Sequence, residues 1–377
     1  MRSPTRQSRS DGGAVGVKNP MRILAIDIGA GTQDILLFDS EKKIENSISL
    51  VLPTPSKKFA ERLRRIEGHV YISGDTIGGG SLTEAILQHL QKGYRVVMGE
   101  QAAYSIRNDL DQVRSMGIEV GGKPASDPLE ELEICEIDLQ PLENFLLRFG
   151  EDLRVEVVAI AVQDHGVSPK GVSDRTFRFD NMETMLRRDN RPETFHYVED
   201  SIPAHFLRMR SALRAAKRDT LAPVLVMDTS FSAILGCVDE VSGPSLIVNA
   251  GNGHTIAALL LDQKIEGLYE HHTHALTPQK LEQDLRLFLK GELSRKKVFE
   301  EKGHGVITLT PFRGEVSVVV TGPNRDLFEG TSLKFVYGAP GGNTMMSGPM
   351  GLIKAAQFWV RTKSQQPSER LTMNNGR

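Results

Sequence analysis

ILAIDIGAGTQDILLFD, residues 23–39, decides the fold, because its pattern returns at LIVNAGNGHTIAALLLD, residues 246–262. Each copy is an apolar run ending in Asp27 or Asn249, then a Gly-rich turn carrying a Thr, then a second apolar run ending in Asp39 or Asp262. A third run begins near Lys-Ile-Glu in both, at Lys43 and at Lys264. Short apolar runs bounded by Gly turns read as strands joined in a hairpin. Recurrence of the whole unit reads as an internal duplication. From Asp27 to Asp39 is 12 residues and from Asn249 to Asp262 is 13, which places the extra residue in the second turn, around His254.

Such turns have a specific chemistry. Gly29, Gly31, Gly251 and Gly253 are expected to take positive φ and to bring the backbone close to a ligand. Successive bared N–H groups form a nest for an anion such as phosphate. Thr32 and Thr255 would add hydroxyl donors, and Asp27 at a strand end suits a magnesium ion held through water. An ordinary pair of hairpins would also place Gly in its turns. Two copies about 220 residues apart, each with a third strand, argue against that reading.

Outside the repeat, Val70–Ser73 reads as a strand, Leu82–Gln91 as a helix and Tyr94–Met98 as a strand, a rhythm of parallel strands under helices. Residues 119–130 read as a loop, and Val155–Val162 as a buried strand. Residues 173–200 are too polar to place, and His205–Lys217 reads as a basic helix with a solvated face. The ends, 1–20 and 363–377, read as disordered tails, with Met21 as an alternative start. The two halves are expected at 21–240 and 241–362.

A net charge of −2 implies no general attraction to nucleic acid or acidic lipid. No apolar stretch reaches the length of a membrane helix, and no secretory signal is visible. Two cysteines, Cys135 and Cys237, exclude a disulfide scaffold and fit a reducing cytoplasm.

Several motifs, in order, resemble the superfamily of actin, sugar kinases and the seventy-kilodalton heat-shock chaperones. Asp27–Thr32 resembles its first phosphate loop and Asn249–Thr255 its second. Asp228–Gly236 resembles the small-residue helix connecting the halves, and Gly348–Ala356 the second connecting helix. Val318–Arg325, with Thr321 and Gly322, resembles the adenosine strand and turn. The resemblance implies an α/β, duplicated ribonuclease-H-like fold, two halves around a nucleotide cleft, with ATP and Mg2+ as cofactors. It implies Gly29, Gly31, Thr32, Gly251, Asn252, Gly253, His254, Thr255, Thr321 and Gly322 as nucleotide contacts, and Asp27 and Asp228 as metal-organising acids. The family usually starts its second loop with Asp; Asn249 removes that charge and points to slow hydrolysis. More narrowly, the chain is similar to a prokaryotic family labelled pyruvate formate-lyase activating enzyme. That radical chemistry needs a Cys-x-x-x-Cys-x-x-Cys site, which two distant cysteines cannot make.

Histidines stand out beside this frame. Glu270-His271-His272-Thr273-His274, Asp164-His165-Gly166 and Gly303-His304-Gly305 join His254 as candidates to converge at strand ends. Histidine can contact phosphate, act as a base or ligate a metal. Adjacent His271 and His272 point to opposite faces of a strand, so one of the two at most enters the cleft. Three functions follow as expectations. The first is an ATPase or phosphotransferase with an unknown acceptor, in which Glu270 or His271 positions water or the acceptor. The second is a nucleotide-gated activating module for a partner protein. The third is a metal-dependent hydrolase built on the histidines.

Overall fold

The computed structural model describes residues 20–125 and 128–365. Of the disordered tails expected at 1–20 and 363–377, residues 1–19 and 366–377 lie outside the described residues, whereas 363–365 form the last residues of a C-terminal helix. The expected hairpin forms as β1 (Arg22–Ile28) and β2 (Thr32–Asp39), and β3 (Ile48–Pro53) continues the meander. A separate small unit follows: α1 (Pro55–Arg64), β4 (Val70–Gly74), α2 (Gly80–Gln91), β5 (Val96–Met98), α3 (Glu100–Ala103), α4 (Leu110–Ser115), β6 (Glu119–Val120) and β7 (Glu130–Ile134). Its parallel sheet, ordered β6-β5-β4-β7, has its own core around Phe59, Leu63, Ile72 and Ile86. The loop expected at 119–130 therefore begins and ends in strand. β7 alternates Glu with Leu132 and Ile134, which point inward from a sheet edge.

The chain then returns to the first sheet through α5 (Gln140–Leu147), β8 (Val157–Val162), α6 (Asp174–Arg188), β9 (His196–Val198), α7 (Leu207–Asp219) and β10 (Val224–Met227). Thus 173–200 holds a helix and a short strand. α6 buries Phe179, Met182 and Leu186 on one face despite its charge. α7 is not a solvated face either: Met209, Ala212, Ala215 and Ala216 are buried, and Arg208 pairs with buried Glu136. Next come α8 (Thr229–Gly236), β11 (Ser245–Ala250), β12 (His254–Leu261), β13 (Lys264–His272), α9 (Pro278–Leu289), α10 (Arg295–Glu300), β14 (Gly305–Thr308), β15 (Ser317–Thr321), β16 (Phe335–Tyr337) and α11 (Ser347–Gln365).

The duplication is explicit in the sheet orders, β3-β2-β1-β8-β10-β9 and β14-β13-β12-β11-β15-β16. In each, a three-stranded antiparallel meander is extended by two strands parallel to its first, β8 and β10 beside β1 and β15 and β16 beside β11. This is the duplicated ribonuclease-H-like arrangement of the actin-like ATPase fold. The inner faces share one core, where Ile23, Ala25 and Ala159 meet Ile247 and Ala258 through α8 and α11. Glycines let the two helices touch backbone to backbone: a side chain at Gly236 would overlap the Ser347 carbonyl, and one at Gly351 that of Ser232. Outer-face cores lie under α7 and under α9. Among the described residues no helix is long and apolar enough to cross a membrane.

Candidate functional site

Both turns close with the same backbone hydrogen bond, Gly29 N to Thr32 O at 3.0 Å and Gly251 N to His254 O at 2.9 Å. They are therefore equal in length, contrary to the expected insertion around His254. His254 occupies the place of Thr32, and the hairpins correspond residue for residue as far as Asp39 and Leu261. Asp262 is simply the first residue of the next tight turn, with Gln263, at φ 49° and 60°. Thr255 consequently faces the other side of β12, where it is buried and hydrogen-bonds Thr273. None of the four turn glycines has positive φ. What they permit is close approach: a side chain at Gly31 would overlap the Asn252 amide of the facing turn, and Lys57 Nζ donates to the Gly31 carbonyl at 2.7 Å.

The turns face each other across a small cavity of about 90 Å³. Asp27, Gly29, Thr32, Gly251, Asn252, Gly253, His254, Thr321 and Gly322 line it, as the sequence suggests. Gly31 abuts the lining, while Thr255, Asp228, Glu270 and His271 do not line it. Thr229 and Ser230 at the start of α8, and Ser347 and Gly348 at the start of α11, complete the floor. Burial pushes the Asp27 carboxyl up to about 8, reinforced by Asp34 and Asp228 and opposed by a Thr229 hydrogen bond. Asp34 stands directly across the hairpin from Asp27, and burial raises it to about 6. Each leaves one buried oxygen, Oδ1, without a partner. A buried carboxylate oxygen in that state suits a cation.

Asp228 is engaged within the protein. Its carboxylate caps α8 through Ser230 N at 2.9 Å and accepts from Arg178 at 2.7 and 3.1 Å. Arg178, on α6 and 2% exposed, also donates to Glu270 on β13. Glu270 is 0% exposed and accepts from His254 Nδ1 at 2.8 Å as well, so both of its oxygens are engaged and neither reaches the cleft. Its acidity is strong despite the burial, because Arg178 holds the charged form. Removing one member of such a buried group costs about 3–5 kcal/mol.

His271 and His272 do part to opposite faces. It is His272 that joins the cleft side, with ring centroids 4.9 Å from His254 and 4.8 Å from His304. His271 is buried on the other face, beside Tyr269, away from the cavity. Burial lowers His304 to about 3 and His272 to about 4, and drives His165 well below its ordinary value.

Arg178 and Asp34 were not singled out by the sequence. Asp34 was within reach, since a hairpin with this turn sets it opposite Asp27. Arg178 has no local signal, because both of its acidic partners are distant in sequence. Cys135 and Cys237 sit apart in separate cores, each pushed up to about 11 by burial.

No curated protein matches the sequence. Similar solved structures include the ethanolamine utilization protein EutJ from Carboxydothermus hydrogenoformans, at 10% identity and TM-score 0.32 over 89% of this chain and 89% of that one. MreB5 of Spiroplasma citri bound to ADP is similar at 10% identity and TM-score 0.33, over 92% of this chain and 99% of that one. The activator of the 2-hydroxyisocaproyl-CoA dehydratase from Clostridium difficile with bound ADPNP is similar at 8% identity and TM-score 0.32, over 92% and 98%. A family model matches residues 77–327, two thirds of the chain. The chain belongs to the family described as "Putative pyruvate format-lyase activating enzyme (DUF1786)".

Proposed function

We propose that the cleft binds ATP with Mg2+ and that the protein turns it over slowly, using cleft closure to act on a partner protein or an acceptor. The observation that carries this reading is the orphaned, cavity-facing Asp27 carboxylate between two matched glycine turns. The turns and the starts of α8 and α11 offer backbone N–H groups to phosphates. Thr321, Gly322 and Pro323 would border the adenosine. Asp27 and Asp34, rather than Asp228, would hold Mg2+, and the ion would neutralise phosphate charge as it transfers. Both acids must lose their protons for this, so metal affinity should rise with pH up to about 8.

Slow turnover follows from what surrounds the terminal phosphate. Asn249 brings no charge, Glu270 is occupied, and Gln163 and His254 remain to orient water. This favours a nucleotide-gated module over a fast ATPase. Radical activation, which the family description suggests, finds no set of three thiolates in this chain.

Isothermal titration of the intact chain with ATP and Mg2+ tests the binding. Absence of heat with and without metal would sink the proposal. Phosphate release and nucleotide-dependent protease sensitivity then separate turnover from gating.

A further inference from the structure

His165, His254 and His304 come from three distant parts of the chain: the loop after β8, the second glycine turn and the segment before β14. One ring nitrogen from each lies within 4.8 Å of the others. His304 is 1% exposed, and neither of its ring nitrogens has a partner. His165 Nε2 is likewise buried and unpartnered. Buried polar atoms are rarely left so, and each such atom asks for an explanation. One lone pair from each of these two rings, brought together beside His254, is accounted for by a shared cation.

His254 supplies the orientation. His254 Nδ1 lies 2.8 Å from both Glu270 Oε1 and the Gln163 side-chain amide; a carboxylate only accepts, so the proton sits on Nδ1, the Gln163 amide presents its oxygen to it, and the lone pair is left on Nε2. A carboxylate behind a ligating imidazole fixes both its tautomer and its angle. Glu270 is itself fixed by Arg178, which Asp228 also balances. Two carboxylates against one guanidinium leave a net negative charge behind the histidines, which favours a cation in front of them.

We propose that His165, His254 and His304 form a three-histidine site for a divalent transition-metal ion of the zinc class. All-nitrogen imidazole donors select such an ion over magnesium or calcium, which prefer oxygen. A zinc–nitrogen bond of about 2.1 Å places tetrahedral ligands about 3.4 Å apart, so the rings rotate slightly inward on binding. Three protein ligands leave a coordination position open for water or an anionic oxygen. Since His254 lines the cavity, that position borders the place of the terminal phosphate. His272, stacked on His304, shields the far side.

The site stands independently of nucleotide binding, and its test uses none. Untagged intact protein is stripped with chelator and titrated with Co2+, followed by Zn2+. One equivalent of Co2+ should bind with visible absorption of a nitrogen-ligated, four- or five-coordinate ion, and Zn2+ should displace it. His165→Asn and His304→Ala should each abolish the absorption, while Glu270→Gln should weaken binding roughly 10–100-fold. His274→Ala, at an exposed position, should change nothing. Circular dichroism melts of every variant identify loss through unfolding, and the half-buried His165→Asn keeps the test available if His304→Ala fails to fold. Failure to bind Co2+ stoichiometrically, binding indifferent to His165→Asn and His304→Ala in folded protein, or equal loss in His274→Ala overturns the proposal.

Discussion

Arg178 on α6 and Glu270 on β13 form a buried ion pair, Nε to Oε2 at 3.1 Å, that ties elements of the two sheets together beneath the cleft. Arg178→Ala strands two carboxylates in the interior. It should cost about 3–5 kcal/mol in urea denaturation. Arg178→Met combined with Glu270→Gln should recover part of that loss, because it removes one of the two uncompensated charges and leaves only Asp228 stranded.

Asp27 gives the unliganded protein a defined pH dependence. Its folded pKa is raised to about 8 from 3.8, so between these values the folded chain holds a proton that the unfolded chain has released. This contribution is complete at low pH and is lost as pH rises towards 8. Asp27→Asn should therefore gain on the wild type by about 3–4 kcal/mol between pH 5 and pH 8 without Mg2+. Urea midpoints at the two pH values measure it, and parallel behaviour of the two proteins would contradict the protonated ground state.

Under the proposed function, Asn249 leaves the second turn without the charge that Asp27 gives the first. Asn249→Asp should raise the rate of ATP turnover roughly tenfold, about 1.4 kcal/mol of barrier, at saturating Mg2+. Phosphate release under single-turnover conditions reads the change. An unaltered rate would show that the missing charge is not what limits turnover.

The contact between α8 and α11 tolerates no side chain at Gly351. Gly351→Ala should cost about 1–3 kcal/mol through overpacking. Thermal melts with and without ATP check it, and a wild-type melting temperature would disprove the backbone contact.

The parts legible in the sequence are those encoded locally. The hairpins, the turn glycines and the small residues of both connecting helices are short-range patterns, and each is present, although the extra residue expected in the second turn and the positive φ expected of all four glycines are not. What resisted reading depends on partners far away. Arg178 sits in a charged helix whose buried face is set by packing between the sheets, so its role is invisible until Asp228 and Glu270 are brought to it. The same burial withdraws Asp228 and Glu270 from the cleft, although their residue types alone suggested chemistry there. Thr255 looked equivalent to Thr32 because each is the Thr of its Gly-rich turn, yet strand register, which turns every side chain over with a slip of one residue, sends it to the opposite face.

Asn252 lies over Gly31 with the two turns already in touch. A polyphosphate entering between them must first part this seam, and the free energy of parting is subtracted from its intrinsic affinity. With this seam closed, a nucleotide bound as proposed would act as a wedge as much as a clasp. Shortening the seam with Asn252→Gly should tighten ATP binding in the titration, whereas weaker binding would make Asn252 a phosphate contact in its own right.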